Sequence, residues 1–201
     1  MKRRGLTTLE LLVALGVTSI TGLGVAMVIT SVSRGVSDMN TMRGAMQRAA
    51  SSHARLRVYT DTSLCLLAQD DRGFALWAHD ERRNGVVNVS ELRVFWVLPE
   101  EGEVRTEYVA FPQEMGEVER AALDIVVAES EDPFQAMLAQ RVLGFTEQTV
   151  LADGVTSARI THTEADPRDS TRFRVLVGFD GGAETQELLM AVGLPQHRRP
   201  R

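Results

Sequence analysis

The carboxylate with the most unusual surroundings in this sequence is Glu10, which lies inside the most apolar stretch of the chain, GLTTLELLVAL (5–15). A carboxylate placed alone among apolar groups is costly unless a cation or hydrogen-bond donors neutralise it. A cut between Gly5 and Leu6 would create a new α-amino group, and Glu10 would become the fifth residue of the shortened chain. That ammonium and the carboxylate can pair in a medium of low dielectric constant, within one molecule or between neighbours. Peptide cleavage followed by ion pairing is thus one chemistry that would account for Glu10.

The other residues that could do chemistry form no pattern typical of catalysis. The four histidines lack the spacing of a zinc site, and the chain has neither a nucleophile elbow nor a phosphate loop. Cys65 is the one cysteine, which excludes an internal disulfide, and its setting SLCLLA predicts a small buried side chain. The acidic stretch EADPRDST (164–171) carries carboxylates that calcium could use, without the ordered spacing of a known calcium loop. The sequence thus predicts no catalytic residue, no cofactor and no defined metal site, and leaves calcium binding open.

A segment able to span a membrane follows Glu10. Residues 11–33 contain no charged side chain over 23 positions. A helix of that length reaches roughly 35 Å, against about 30 Å for the hydrocarbon core of a bilayer. Lys2, Arg3 and Arg4 precede the segment and the acidic bulk of the chain follows it, so the positive-inside tendency predicts a cytoplasmic N-terminus. The net charge of −5 gives no support to a nucleic-acid role.

Three kinds of N-terminal segment are compatible with these features. A cleaved secretory signal has a basic start, and Gly22 and Gly24 offer a cleavage site, but its apolar run is normally about 7 to 15 residues long. An uncleaved signal anchor suits the length and gains nothing from Glu10. A segment cut after Gly5 supplies the carboxylate with a partner, and this hypothesis explains Glu10 best.

The residues RGLTTLELLVALGV (4–17) resemble the class III signal of type IV prepilins and pseudopilins. The shared features are a short basic leader that ends in glycine, an unbroken apolar run, and glutamate at the fifth mature position. One departure is Leu6, where the family usually has phenylalanine. The resemblance implies that prepilin peptidase cuts between Gly5 and Leu6 and that Leu6 is N-methylated. It also implies that Glu10 serves assembly by pairing with the terminal amine of an adjacent subunit.

Helical periodicity continues beyond the apolar segment. Side chains recurring every three or four residues predict one long helix with a core-facing stripe; the stripe comprises Val32, Val36, Met39, Met42, Met46, Ala49, His53 and Leu56. The residues between them predict a solvated face, made of Arg34, Ser37, Asp38, Arg43, Gln47, Arg48 and Ser52. Within the apolar half, GVTSITGLG (16–24) collects weaker helix formers, which predicts local loosening when subunits pack into a filament.

Beyond about residue 70 the period changes to two, which predicts strands. SELRVFWVLP and GEVRTEYVAF flank a predicted turn at 100–102, and RGFALWAHD predicts a strand before them. SARITHT also alternates, and RFRVLVGF and ETQELLMAV flank Asp180-Gly181-Gly182, a strong hairpin signal. Between these regions, Asp132 and Pro133 predict the start of a helix that Gly144 ends.

These elements predict an α+β fold, in which a long N-terminal helix, first transmembrane and then amphipathic, packs on an antiparallel β-sheet as in pilins. The expected organisation is a prepilin leader (1–5), a transmembrane helix segment (6–33), an amphipathic continuation (34–68), a β-rich periplasmic domain (69–195) with a helical insertion near 112–147, and a frayed basic tail (196–201).

The C-terminal stretch TVLADGVTSARITHTEADPRDSTRFRVLVGFDGGAETQELLMAV (149–192) is similar to the end of J-type minor pseudopilins of type II secretion and of W-type minor pilins. The shared turn consists here of Leu151, Asp153, Gly154 and Val155. ELRVFWVLPEEGEVRTEYVAF (91–111) is similar to the central hairpin of that family.

The resemblance implies a non-enzymatic subunit of a secretion pseudopilus in the bacterial inner membrane. The partners it implies are prepilin peptidase, the H-, I-, K- and G-type pseudopilins, the inner-membrane assembly platform and membrane lipid, and it implies neither a cofactor nor nucleic acid. One alternative is a minor pilin of a type IV pilus used in adhesion, motility or DNA uptake. Another is a membrane-anchored periplasmic enzyme or sensor.

Overall fold

The computed structural model describes residues 7–181 and 185–201 of the chain. Within these ranges the α-helices are α1 (Thr8–Thr62), α2 (Glu117–Leu123) and α3 (Pro133–Val142). The β-strands are β1 (Cys65–Asp70), β2 (Gly73–Trp77), β3 (Leu92–Leu98), β4 (Glu103–Val109), β5 (Thr146–Asp153), β6 (Val155–His162), β7 (Arg172–Asp180) and β8 (Thr185–Gly193). A long N-terminal helix packed on antiparallel sheet confirms the predicted α+β fold.

The chain divides into two compact units, residues 1–43 and residues 44–201. The described part of the first unit is the N-terminal portion of α1, and its side chains from Thr7 to Asn40 are all exposed. The second unit contains the rest of α1, both sheets and the two shorter helices.

Two antiparallel sheets form the body of the second unit. The larger has the strand order β1-β2-β3-β4-β5, and the smaller has the order β6-β7-β8. Both predicted hairpins are present: β3 pairs with β4 across a turn in which Gly102 has φ +71°, and β7 pairs with β8 up to Asp180 opposite Thr185. A positive φ is readily adopted by glycine, which is why the chain turns at that residue.

Both faces of the five-stranded sheet are buried. One face shares a core with the 44–62 part of α1 and with the three-stranded sheet, and it includes Phe95 and Val97. The other face packs against α3 and includes Val94 and Trp96. Because adjacent residues of β3 are buried on opposite faces, period-two alternation identifies the strand but does not separate core from solvent.

The packed face of α1 differs from the predicted stripe. Its buried residues are Ala45, Ala49, Ser52, Leu56 and Thr60. Ala49 and Leu56 belong to the predicted stripe, whereas Met46 and His53 are exposed and Ser52, predicted to be solvated, is 3% exposed. The Ser52 hydroxyl donates to the Arg48 carbonyl at 2.7 Å, so its burial leaves no unpaired donor. Small side chains allow the helix to approach the sheets closely, and the bulkier methionines stay outside.

The region between β4 and β5 contains α3, which the sequence predicts, and α2, which the sequence pattern does not assign. As predicted, Asp132 caps α3, because its carboxylate accepts from the Phe134 N–H at 2.9 Å, and Pro133 is the first helical residue. The segment 117–130, compatible with helix or strand from its pattern, forms α2 and then an extended piece in which Val127 N–H donates to the Val87 carbonyl at 2.8 Å.

The C-terminal tail is attached to the second unit, and the prediction of a frayed tail is wrong. The backbone N–H groups of Arg198 and Arg201 donate to the carbonyls of Leu64 and Gly85, at 2.8 and 2.7 Å. The Arg198 guanidinium also contacts the Asp80 carboxylate at 3.0 Å. A run of basic residues predicts a solvated end only where no acidic partners face it.

Candidate functional site

The described part of the predicted assembly site is the first turn of α1. The Glu10 carboxylate oxygen Oε2 accepts from the backbone N–H of Thr7 at 2.9 Å and from the Thr7 hydroxyl at 3.0 Å. In return the backbone N–H of Glu10 donates to the Thr7 hydroxyl oxygen at 3.3 Å. These reciprocal bonds form a capping box, which satisfies donors that the start of a helix would otherwise leave unpaired.

Thr7 is a residue that the sequence prediction missed. The spacing Thr7-x-x-Glu10 before an apolar run is the usual signature of a capping box, so the signal was present. A negative charge in the first turn also interacts favourably with the helix dipole. Glu10 thus has a local role in the helix besides the predicted role in assembly.

The predicted cleavage site, Gly5 and Leu6, lies outside the described residues. The structure therefore locates Glu10 and leaves the position of the predicted cut and the predicted methylation of Leu6 as inferences from sequence.

The apolar part of α1 is long enough to cross a membrane. Several of its hydroxyl groups are paired within the helix: Thr18 donates to the Ala14 carbonyl at 2.6 Å, and Ser19 donates to the Leu15 carbonyl at 2.8 Å. Thr21 does the same with an earlier carbonyl. A hydroxyl bonded inside its own helix can lie among lipid tails without an unpaired donor.

Two carboxylates are fully buried in the second unit. Glu107 in β4 accepts from the Arg141 Nε–H at 2.8 Å and from the Trp96 indole N–H. Burial, the largest influence, raises the pKa of Glu107, but hydrogen bonds from Arg141 and other donors outweigh it and hold the pKa below its ordinary value. Glu91 accepts from the Trp77 indole N–H at 3.1 Å and from nearby backbone N–H groups. Carboxylates held by this many donors tie loops and strands together.

The acidic loop considered for calcium binding surrounds an arginine instead. The Arg199 guanidinium contacts Asp166, Asp169 and Glu129 at 3.1, 2.5 and 2.8 Å. A guanidinium thus occupies the position that a cation would take among these carboxylates. Among the described residues, no group of three or more histidine, cysteine, aspartate or glutamate side chains is arranged to hold a metal ion.

Cys65 is buried, as predicted, with 0% exposure. Burial raises the pKa of its thiol to about 12, and the positive charge of Arg168 offsets only part of that effect. A thiol with so high a pKa carries little of the reactive thiolate at neutral pH.

Comparisons with protein-family models, with curated proteins and with solved structures find no match. The residues of 4–17 and 149–192, together with the geometry of α1, are accordingly the basis for assigning a function.

Proposed function

We propose that this protein is a minor-pseudopilin-like structural subunit of a type II secretion pseudopilus, placed in the tip or initiation complex. Prepilin peptidase removes residues 1–5, and the domain lies in the periplasm, anchored through α1 in the bacterial inner membrane. The processed subunit then joins a short periplasmic filament that drives protein export. The partners are the other pseudopilins and the inner-membrane assembly platform.

The observation that carries this proposal is the position of Glu10 in the first turn of an apolar helix, five residues after Gly5. Cleavage after Gly5 would place a new ammonium beside the helix start. Among the described residues, only Oε2 of the carboxylate takes part in hydrogen bonds, both from Thr7, so Oε1 can accept from the amine of a neighbour. In lipid such a pair offsets much of the cost of both charges.

The exposed apolar face beyond the span also supports assembly. Val36, Met39 and Met42 are 52%, 57% and 40% exposed. Apolar side chains repeated along one helix face are typical of surfaces that other chains cover, and flexible methionines pack well against varied partners. Neighbouring subunits in a filament would bury this face.

Substitution of Gly5 tests the proposal. Gly5→Val should keep the leader and abolish secretion, while the wild-type chain loses its first five residues. Gly16→Val is the matched control, because a Cβ at Gly16 meets nothing within 4 Å, and it should be trimmed like wild type. A Gly5→Val product of wild-type mature size would contradict the proposal, and activity of the isolated domain would favour an enzyme or sensor.

A second candidate is a minor pilin of a type IV pilus, because the likeness of 149–192 extends to W-type minor pilins. Neighbouring genes separate the two functions. Genes for a secretin with H-, I- and K-type pseudopilins favour secretion, whereas a gene for a retraction ATPase favours a pilus.

A further inference from the structure

Arg93 in β3 is a half-buried cation that lies against two tyrosine rings. Its Cζ atom is 4.5 Å from the centre of the Tyr59 ring and 5.0 Å from the centre of the Tyr108 ring. Tyr108 is also its direct partner across the β3–β4 pairing. Stacking on aromatic faces stabilises a guanidinium and leaves its in-plane N–H groups for a planar acceptor.

This guanidinium has no carboxylate partner in the part of the chain that the structure describes. Its Nε atom is buried and makes no hydrogen bond there. Burial lowers the pKa of Arg93, and the two tyrosines offset only part of that effect. A buried N–H group that makes no hydrogen bond is costly, and each such group in a native structure requires an explanation, of which a nearby binding site is one.

Arg93 lines a cavity of about 630 Å³ between the ends of β3 and β4 and the helix α2. Leu92, Val109 and Phe111 supply apolar parts of the wall. A volume of this size is within the range of small-molecule sites, which are mostly apolar with a few polar groups that orient the ligand.

The charges around the cavity indicate the class of ligand. Arg82 and Asp124 form an ion pair at 2.6 Å, so they neutralise each other. Arg93 remains as the desolvated cation of the wall, whereas Glu81, Glu117 and Arg120, the other charged residues of the lining, are exposed and screened by solvent. One buried positive charge balances one negative charge, which favours a monoanion over a phosphate dianion.

We propose that this cavity binds a small monocarboxylate with an apolar body. The carboxylate accepts from the terminal N–H groups of Arg93, since the Nε atom itself is enclosed. The apolar body lies against Leu92, Val109 and Phe111. This activity goes beyond the structural role in a filament and does not depend on it, because processing and assembly through residues 5–10 make no use of Arg93.

The test compares benzoate with its neutral isostere benzamide, using the full chain in detergent micelles. The Arg93 Nε–H resonance, identified by its loss in Arg93→Lys, is followed by NMR during each titration. Benzoate should shift this resonance saturably, and benzamide should not. Equal responses to the two compounds, or no response to benzoate, would overturn the proposal.

Affinity measurements on three variants complete the test. Arg93→Gln should weaken benzoate binding by about tenfold or more, the usual loss for a charge-assisted hydrogen bond. Arg93→Lys keeps the positive charge but lacks the planar guanidinium, so its affinity for benzoate should lie between those of the wild type and Arg93→Gln. Arg174→Gln removes an exposed arginine elsewhere and should bind like wild type. Wild-type affinity in a folded Arg93→Gln chain, checked by its thermal unfolding, would contradict the assignment.

Discussion

The Glu10 carboxylate accepts two hydrogen bonds from Thr7, one from its backbone N–H at 2.9 Å and one from its hydroxyl at 3.0 Å. Both bonds reach the same oxygen, Oε2. The carboxylate therefore combines two properties that can be separated by substitution, the capping of the helix and the negative charge that a neighbouring amine would need.

Glu10→Gln and Thr7→Ala separate these properties. Glutamine replaces glutamate in capping boxes, so Glu10→Gln keeps the cap and loses the charge. It should be processed to the mature size and should fail in secretion. Thr7→Ala weakens the cap by about 1 kcal/mol and keeps the charge, so secretion should persist. Immunoblots and assays of secreted protein in the culture supernatant check both results. Loss of secretion in Thr7→Ala alone would assign the role of Glu10 to capping.

The buried ion pair of Glu107 and Arg141 should matter more for stability than a surface pair. Arg141→Gln leaves a fully buried carboxylate without its cation and should lower the free energy of unfolding by about 2 kcal/mol, because Arg141 itself is partly exposed. Arg105→Gln breaks the more exposed pairs with Glu101 and Glu103 and should cost clearly less than the loss of Arg141. Urea unfolding followed by tryptophan fluorescence measures the free energy of unfolding of both variants. Equal decreases would contradict the argument that the buried pair matters more.

Because its pKa is lowered, Glu107 should contribute to the free energy of unfolding at neutral pH and lose that contribution in acid. A carboxyl whose folded-state pKa is depressed stabilises the fold above its unfolded-state pKa, about 4.3, and loses that contribution as the pH falls through the folded-state value. The difference in urea midpoint between wild type and Glu107→Gln should therefore be constant near neutral pH and shrink below about pH 4. Glu100→Gln, at an exposed turn, is the control. A difference in urea midpoint that grows toward low pH would contradict a lowered pKa of Glu107.

Cys65 should resist thiol reagents in the folded chain. Its side chain is buried and its pKa is raised to about 12. A reagent therefore has little access to the sulfur, and little of the reactive thiolate is present. Labelling with an aromatic disulfide at pH 8 should be slow in the native protein and fast in guanidinium chloride. Rapid labelling without denaturant would show that β1 is open to solvent.

The C-terminal tail should show protected amides. The N–H groups of Arg198 and Arg201 are bonded to backbone carbonyls, and opening them requires release of the tail. Hydrogen exchange at both positions should be slower than at the exposed amide of Glu114, which lies in a surface turn. Exchange of the tail amides at the rate of an unstructured peptide would restore the prediction of a frayed end.

Local chemistry determined which elements could be predicted. The turn at Gly102 and the cap at Asp132 follow from a residue and its immediate neighbours, and both are where the sequence indicates. The face of α1 that packs depends on the sheets beneath it. Ser52 is therefore buried although the periodicity predicted a solvated side chain, and Met46 is exposed although the periodicity predicted that it faces the core. Likewise Arg199 meets carboxylates distant in sequence, which no local pattern reveals.

The same distinction applies to the functional site. Glu10 stands out because one charge interrupts an apolar run, and the capping role of Thr7 has a short-range signature. The cavity at Arg93 has no such signature, since its walls come from β3, β4 and α2. Only the tertiary fold brings Tyr59 and Tyr108 to the same guanidinium.

Intact-mass spectrometry of the native polypeptide, purified from its own membranes, tests the processing of this chain most directly. We expect a mature chain that begins at Leu6, without the five-residue leader, and that carries one added methyl group on its terminal amine. A chain that retains Lys2 to Gly5, or one that begins downstream of Glu10, would contradict the proposed pairing of Glu10 with a newly formed terminus.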